Sequence, residues 1–532
     1  MDEFILFIDQ ILIFVAWSLL FIHPLLQGLH MFQQNRYEVR RYWPWLINDL
    51  KAKSSHPKLW GIPLLAYGLL SLLSLKSSTI GASLGVGLTF GMSVILAYQA
   101  KAKIYIKPLV YTARVKRQIV VMVFLIGTLM TSVHTLSWPW ILVLTPIIWQ
   151  VIWILVVPMA LVTLPFETLM KYHYVDLAKK ILKQHPRLIK IGITGSYGKT
   201  SSKNILDEIL SEKYYVLASP ASFNTPMGLT ITIREQLKAL HQVFIAEMGA
   251  DKVGEIEFLS RFIQPKIGIV TSIGPQHLNT FKSLDNIIQE KMRLIENLPK
   301  DGIAILNLDN PYLKAYPIKN TCLKVSYAID SEADYQATDI VYSPQGSQFN
   351  VKYQKEVYPF KTRLLGKHNI ANILAGIAVG RNLDLSWSSL QHAVSQVNYV
   401  EHRLQLKKIN GYNYIDNAFN SNPEGSKMSL EVLKMMPGHR TLVTPGMIDL
   451  GSSQDAYNKA FGATMLGCAD TVILVGKTQT KAIYEGLSES GYDLKQVQVV
   501  DTVKEAFKYI ESHTKQSDIA LLENDLPDAF NR

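Results

Sequence analysis

Leu188-Ile189-Lys190-Ile191-Gly192-Ile193, followed by Thr194-Gly195-Ser196-Tyr197-Gly198-Lys199-Thr200, decides how the rest of the chain is read. The first six residues form a short apolar, β-branched run of the kind that makes a buried strand. Ser201–Leu210 then carries a helical pattern. Strand, glycine loop and helix in that order are the context in which a glycine–lysine–threonine match means phosphate binding. Glycines let backbone N–H groups approach phosphate oxygens, the lysine neutralises their charge, and the threonine hydroxyl can hold Mg²⁺. Gly195, Ser196, Tyr197, Gly198, Lys199, Thr200 and Ser201 are therefore the candidates for binding nucleotide phosphates. The TGxxGKT spacing is shorter than the commoner GxxxxGK[ST].

Toward the N-terminus the chain turns apolar. Five stretches, Phe4–Leu26, Leu59–Leu75, Thr79–Gln99, Gln118–Leu136 and Trp138–Phe166, approach the roughly 20 apolar residues that a spanning helix needs. They predict an α-helical transmembrane bundle of about five spans over residues 1–170, with a linker at 171–187. Basic residues set the orientation. The first loop holds Arg36, Arg40, Arg41, Lys51 and Lys53, and the third holds Lys101, Lys103, Lys107, Arg114, Lys116 and Arg117. Loops one and three then lie inside and the N-terminus outside. The expected location is the cell membrane, multi-pass, with the chain from Glu167 on, and so the catalytic domains, cytoplasmic.

Length and composition agree with several domains. The chain has 532 residues, 48% of them hydrophobic, and a formal net charge of +11. Such a charge on a soluble protein suggests nucleic acid. Here much of the excess lies between apolar segments, so the expected partner is the lipid bilayer and no nucleic acid. The two cysteines, Cys322 and Cys468, have no metal-type spacing and make no disulfide framework.

Toward the C-terminus further motifs follow the glycine loop in order. They are Ser222-Phe223-Asn224-Thr225-Pro226-Met227-Gly228, Ala246-Glu247-Met248-Gly249-Ala250, Thr271-Ser272-Ile273-Gly274-Pro275-Gln276-His277-Leu278, Lys291, Gly366-Lys367-His368-Asn369-Ile370-Ala371-Asn372, Glu401-His402-Arg403-Leu404-Gln405, and Ile415-Asp416-Asn417-Ala418-Phe419-Asn420. Together they resemble the Mur ligase family, the ATP-dependent amide-forming enzymes of cell-wall peptide assembly. The closest likeness is to the branch that adds D-alanyl-D-alanine.

That resemblance implies two α/β domains after the membrane bundle: a P-loop central domain over 188–399 and a Rossmann-like C-terminal domain over 400–532. It implies ATP and Mg²⁺ as cofactors, the latter at two sites. Thr200, Glu247 and His277 become metal ligands, and Lys291 becomes a metal-binding carbamate formed with CO₂. Asn369 and Asn372 would contact adenine, Arg403 the nucleotide phosphate and Asp416 the ribose. Lys199, His277, Lys291 and Asn420 would serve the reacting centre. The ending Leu521-Leu522-Glu523-Asn524-Asp525 departs from that branch's lysine-glycine-serine.

The implied function is an ATP-dependent ligase that activates a carboxylate as an acyl phosphate and couples it to the amine of an amino acid or short peptide. The family's wall enzymes begin with a small soluble domain for the UDP-sugar, and nothing here resembles it. The expected acceptor is therefore a membrane-borne carboxylate, such as a polyprenyl-linked glycan or another envelope precursor. Two alternatives are a D-alanyl-D-alanine-adding wall-precursor ligase merely anchored to the membrane, and a poly-amino-acid synthetase. A nucleotide-driven transporter is disfavoured, because the apolar segments show few buried charges and no clear repeat.

Overall fold

The structure is a computed structural model and describes residues 21, 24–54, 108–134, 152–221, 223–276, 278–343, 345–399, 402–418, 423–448, 450 and 453–524. Two compact units divide the chain, Met1–His173 and Tyr174–Arg532.

The first unit is helical. Residues 24–34 form a helix, as do Val39–Ser54 and Ala113–His134, and the helix Val156–Lys183 begins within this unit. Their apolar residues cover one another: Phe21, Leu25, Leu29, Phe32, Tyr42, Leu46, Met122, Trp153 and Met159 form one buried cluster. Two polar tips inside it are satisfied. The Tyr42 hydroxyl donates to Trp153 O at 3.1 Å, and Trp153 Nε1 donates to Pro24 O at 2.6 Å. Arg117 grips the Glu167 carboxylate with Nη2 at 2.8 Å from Oε1 and 3.0 Å from Oε2.

This arrangement corrects the expected five-span bundle. Among the described residues, one helix, Trp153–Lys183, is long and apolar enough to cross a membrane, and part of its apolar stretch is buried. Among the described residues the N-terminal region is helical and does not form a multi-span bundle. Hydropathy registers apolar residues but not what covers them, and here neighbouring helices cover many. The expected spans Leu59–Leu75 and Thr79–Gln99, and nearly all of Phe4–Leu26, lie outside the described residues.

The second unit contains two α/β domains with mixed sheets. The first sheet is built from β1 (Ile189–Thr194), β2 (Val216–Ala218), β3 (Val243–Glu247), β4 (Ile267–Val270), β5 (Ile303–Asn307), β6 (Leu323–Ala328), β7 (Tyr335–Ser343), β8 (Gly346–Tyr353) and β9 (Glu356–Thr362). Its order is β2-β3-β1-β4-β5-β6-β7-β8-β9. Pairing is parallel from β2 to β7 and antiparallel through β8 and β9. Parallel strands covered on both faces read as unbroken apolar runs. Every residue of β3, Val243-Phe244-Ile245-Ala246-Glu247, is buried, which leaves one carboxylate among four apolar side chains.

Helices cover both faces. Ile205 and Ile209 of the helix Lys199–Ser211 meet Ile373 and Ile377 of the helix Lys367–Asn382 on one side. Ile256 and Leu259 of the helix Glu255–Ile263 meet Leu294 and Ile295 of the helix Leu284–Glu296 on the other. Local chemistry sets where helices begin. Pro226 occupies the first turn of Pro226–Gln236, and the Thr225 hydroxyl accepts the Gly228 N–H at 3.2 Å.

The second sheet holds β10 (Gln405–Ile409), β11 (Tyr412–Asn417), β12 (Arg440–Thr444), β13 (Thr471–Val475), β14 (Val497–Val500) and β15 (Ile519–Glu523), in the order β10-β11-β15-β12-β13-β14. The β10–β11 pair is antiparallel and the remaining pairs are parallel. In sheets of this kind ligands bind beyond the carboxyl ends of the strands. The motif residues cluster at those ends: Gly195 follows β1, Glu247 ends β3 and Thr271 follows β4.

Candidate functional site

The glycine loop turns because two positions adopt backbone that side chains resist. Gly195 has φ 151° and Gly198 has φ 80°. A Cβ on Gly195 would sit 2.1 Å from Thr271 Oγ1, so the loop presses directly on the segment after β4. That segment staples it. Ser196 N–H donates to Ser272 O at 2.7 Å, Tyr197 N–H donates to Ser272 Oγ at 3.2 Å, and Ser196 Oγ exchanges hydrogen bonds with Gly274 O and N at 3.0 Å each. The helix Lys199–Ser211 starts at once, with its unsatisfied N–H groups at the loop.

Lys199 folds back over the loop. Its Nζ donates to Gly195 O at 2.7 Å and to Ser196 O at 3.1 Å. Burial pushes its pKa down, the Glu247 charge opposes this and the Arg403 charge adds to it. Arg403 is likewise lowered by burial and supported by Glu247. Two cations and one carboxylate thus share the space at the loop, as a polyphosphate site requires.

Glu247 is 1% exposed. Its Oε1 accepts the Thr200 hydroxyl at 3.1 Å and the Asn224 amide at 3.1 Å. Its Oε2 is buried and accepts no hydrogen bond, with Lys203 Nζ 3.4 Å away. A buried carboxylate that meets a threonine hydroxyl beside a phosphate loop is a hard-oxygen donor set. It fits Mg²⁺, which takes one or two carboxylates and completes its shell with phosphates and water. Among the described residues no group of three or more His, Cys, Asp or Glu side chains gathers to hold a metal by itself. His277 lies outside the described residues.

Lys291 is 1% exposed on the helix Leu284–Glu296. Its Nζ lies 3.4 Å from Ala250 O and 5.8 Å from the centre of the Phe281 ring. Burial, reinforced by the Lys199 charge and opposed by Glu290 and Glu255, brings its pKa to about 7. A large share of this amine is therefore neutral near pH 7, the form that adds CO₂. Glu290 beside it is committed to the backbone, accepting Gly254 N–H at 2.8 Å and Ile256 N–H at 2.6 Å.

The adenine candidates lie at the start of the helix Lys367–Asn382. Asn369 turns inward, its amide donating to Leu365 O at 2.8 Å. Asn372 Oδ1 accepts the Ser202 hydroxyl at 2.7 Å, while its Nδ2 is buried without a partner. Asp416 is held by chain groups: Lys407 Nζ at 2.5 Å, His402 Nδ1 at 2.8 Å and Ala418 N–H at 3.1 Å. Burial would raise its pKa, but these hydrogen bonds outweigh burial and hold it below the usual carboxylate range. Arg403 sits between two left-handed residues, His402 (φ 59°) and Leu404 (φ 46°). Asn420 lies outside the described residues.

The structure therefore brings Lys199, Thr200, Glu247, Lys291 and Arg403 into one electrostatic neighbourhood. Sequence reasoning missed Lys203, His368 and Lys407. Lys203 stands one helical turn after Lys199, a spacing that signals a shared face. His368 lies inside a quoted motif, and its buried Nδ1 has no partner. Burial, with Arg403 nearby, lowers it to about 4.

Known proteins carry the same two domains. Residues 193–380 match the Mur ligase middle domain, and residues 402–523 match the Mur ligase glutamate ligase domain. The UDP-N-acetylmuramoyl-tripeptide–D-alanyl-D-alanine ligase of Bacillus subtilis is 30% identical over 294 residues, 54% of this chain and 63% of its own length. The Escherichia coli ligase of that name is 28% identical over 312 residues, 58% of this chain and 68% of its own. The chain thus spans just under two thirds of the Bacillus relative. A MurF ligase from Thermotoga maritima solved with ADP shares the fold, with a TM-score of 0.59 at 22% identity over 67% of this chain and 80% of its own. A MurF structure from Acinetobacter baumannii gives 0.59 at 24% over 67% and 77%. The chain belongs to the Mur ligase family through its middle and C-terminal domains.

Proposed function

We propose that this chain is an ATP-dependent carboxylate–amine ligase of the kind that joins a dipeptide such as D-alanyl-D-alanine to a peptide carboxylate. The observation that carries the reading is the joining of Lys199, Thr200 and Glu247 at the carboxyl ends of β1 and β3. A carboxylate is a poor electrophile. Attack of its oxygen on the γ-phosphorus of ATP releases ADP and leaves an acyl phosphate. The amine nitrogen then attacks the carbonyl carbon, inorganic phosphate leaves, and the new amide nitrogen loses a proton.

No protein nucleophile is needed, so the side chains bind, orient and neutralise. Lys199 would swing from Gly195 O and Ser196 O onto phosphate oxygens, and the N-terminus of its helix would face the same anion. Arg403 would add a second cation from the C-terminal domain. Thr200 and Glu247 would hold Mg²⁺, which supplies charge neutralisation on the phosphates. Lys291 as a carbamate would offer a second anionic donor.

The curated relatives favour the D-alanyl-D-alanine-adding reading over the membrane-borne glycan acceptor expected from sequence. Membrane attachment is a separate proposal, supported by the helix Trp153–Lys183. Recovery of the full chain in the soluble fraction without detergent would remove it.

The deciding experiment measures phosphate release by the full chain with ATP, D-alanyl-D-alanine and either UDP-muramoyl tripeptide or lipid extract. Release with the soluble nucleotide substrate is expected. Release with lipid extract alone overturns the acceptor, and a ladder of products points to repeated addition. Lys199→Ala should lower release at least 100-fold.

A further inference from the structure

Lys203 has a different role from Lys199, although both lie on one helix. It is 2% exposed, and its Nζ donates to Ala221 O at 2.5 Å and lies 3.4 Å from Glu247 Oε2. A buried ammonium is retained only where it is paired and hydrogen-bonded. Here the carboxylate is the candidate metal ligand, and the carbonyl belongs to the loop before the helix Pro226–Gln236. Ala221 has φ 44°, a left-handed conformation that a non-glycine residue adopts at a cost.

The rest of that loop also wraps Glu247. Ser219 N–H donates to Ile245 O at 2.9 Å and so extends the sheet edge. Ser219 Oγ accepts Glu247 N–H at 3.2 Å. The Asn224 amide donates to Glu247 Oε1, and Asn224 O accepts Gly249 N–H at 2.8 Å. Glu247 thus faces two ways. Oε1 is shared by Thr200 of the nucleotide-side helix and Asn224 of the loop, and Oε2 looks toward Lys203, which holds Ala221 O. The backbone of that loop has two anchors: Lys203, on the same helix as the phosphate lysine, and the strand that ends in Glu247.

We propose that Lys203 is a positioning residue that locks Ala221, and with it Asn224, to Glu247, fixing where the carboxylate substrate lies relative to the γ-phosphate. The inference rests on the ligase reading, because a ligase must bring a carboxylate up to the γ-phosphate beside Glu247, and this loop packs on Glu247. Lys203 touches neither the nucleotide loop's backbone nor Thr200 in the contacts described. Its loss should therefore move the carboxylate substrate more than the nucleotide. With the ammonium gone, Ala221 loses the donor that holds its left-handed turn, and Glu247 is free to rotate away from Thr200.

The test uses the full chain with Lys203→Met, Lys203→Gln and Lys203→Arg. KM for the carboxylate substrate and for ATP are measured separately. ADP affinity is measured by calorimetry, and Mn²⁺ binding in the presence of ADP by electron paramagnetic resonance. Lys203→Met should raise the carboxylate KM at least 10-fold, leave ADP affinity within about 3-fold, and broaden or weaken the Mn²⁺ signal. Lys203→Arg should restore the carboxylate KM to within about 3-fold of the parent. If Lys203→Met does not fold, Lys203→Gln, which keeps a donor for Ala221 O without the charge, must show the same one-sided rise. An equal fall in carboxylate and ADP binding, or no change in a folded variant, overturns the proposal. A parent protein with no carboxylate-dependent ADP release fails the ligase reading instead, and the Mn²⁺ comparison still judges the Lys203–Glu247 link.

Discussion

His368 carries a prediction that can be worked from the structure. Its Nδ1 is buried with no hydrogen-bond partner, and burial, aided by the Arg403 charge, lowers its pKa from the ordinary 6.5 to about 4. The unfolded chain takes up a proton on this ring as pH falls through 6.5, and the folded chain does not until about 4. The unfolded state therefore binds more protons in that window, and stability rises with pH across it. Going from about pH 7 to about pH 5 should cost roughly 1–2 kcal/mol through this group; the lower end applies because His368 is only partly buried as a residue. His368→Gln removes the titration. Urea denaturation of parent and variant at about pH 7, 6 and 5 isolates the effect as a difference of differences. The parent should lose the extra 1–2 kcal/mol and the variant should not. Parallel pH profiles would refute the assignment.

Three further outcomes follow from the site. ¹³CO₂ added near pH 7 should give a carbamate resonance from Lys291, whose pKa of about 7 leaves a substantial share of the buried amine unprotonated; Lys291→Arg should abolish the signal. Glu247→Ala should destabilise the protein by about 3–5 kcal/mol in thermal or urea unfolding, since it strands the buried Lys203 ammonium. Adding Lys203→Met to it should recover part of the loss. Asp416→Asn should lower stability above about pH 4, with the difference closing at lower pH, because Lys407 and His402 hold the carboxyl in its charged form; if ADP affinity falls by more than 10-fold as well, the side chain also meets the nucleotide.

The site was legible in the sequence wherever backbone geometry restricts residue choice. Gly195 and Gly198 are glycines because their φ values of 151° and 80° and the press of Thr271 allow little else. A strand running into such a loop can be recognised without a structure, and so can Thr225-Pro226 at a helix start. What escaped depends on distant partners. Lys203 looks like any helix-surface lysine until β3 places Glu247 against it. Asp416, the expected ribose contact, also bonds Lys407 and His402, whose approach the sequence does not announce. The N-terminal misreading has the same origin. Apolar length is local, but the cover over Tyr42, Met122 and Trp153 comes from residues scattered between 21 and 160.

That contrast bears on how the ligase reading should be attacked experimentally. Lys199 and Thr200 are what any phosphate-binding loop would show, so variants there test nucleotide use and little else. The features that separate an acyl-phosphate enzyme from a generic nucleotide hydrolase lie on the far side of Glu247. There a buried Lys203 ties the left-handed Ala221 to the Glu247 carboxylate, and Asn224 of the same loop bonds its other oxygen. A hydrolase must admit water to the γ-phosphate. A ligase must place a carboxylate oxygen there and exclude water, which calls for a loop fixed to the metal ligand itself. Uncoupling should therefore be the signature of damage on that side. Lys203 variants should retain slow ATP hydrolysis while losing amide formation, whereas Lys199 variants lose both. If both sets lose the two activities in proportion, the loop does not discriminate water from substrate.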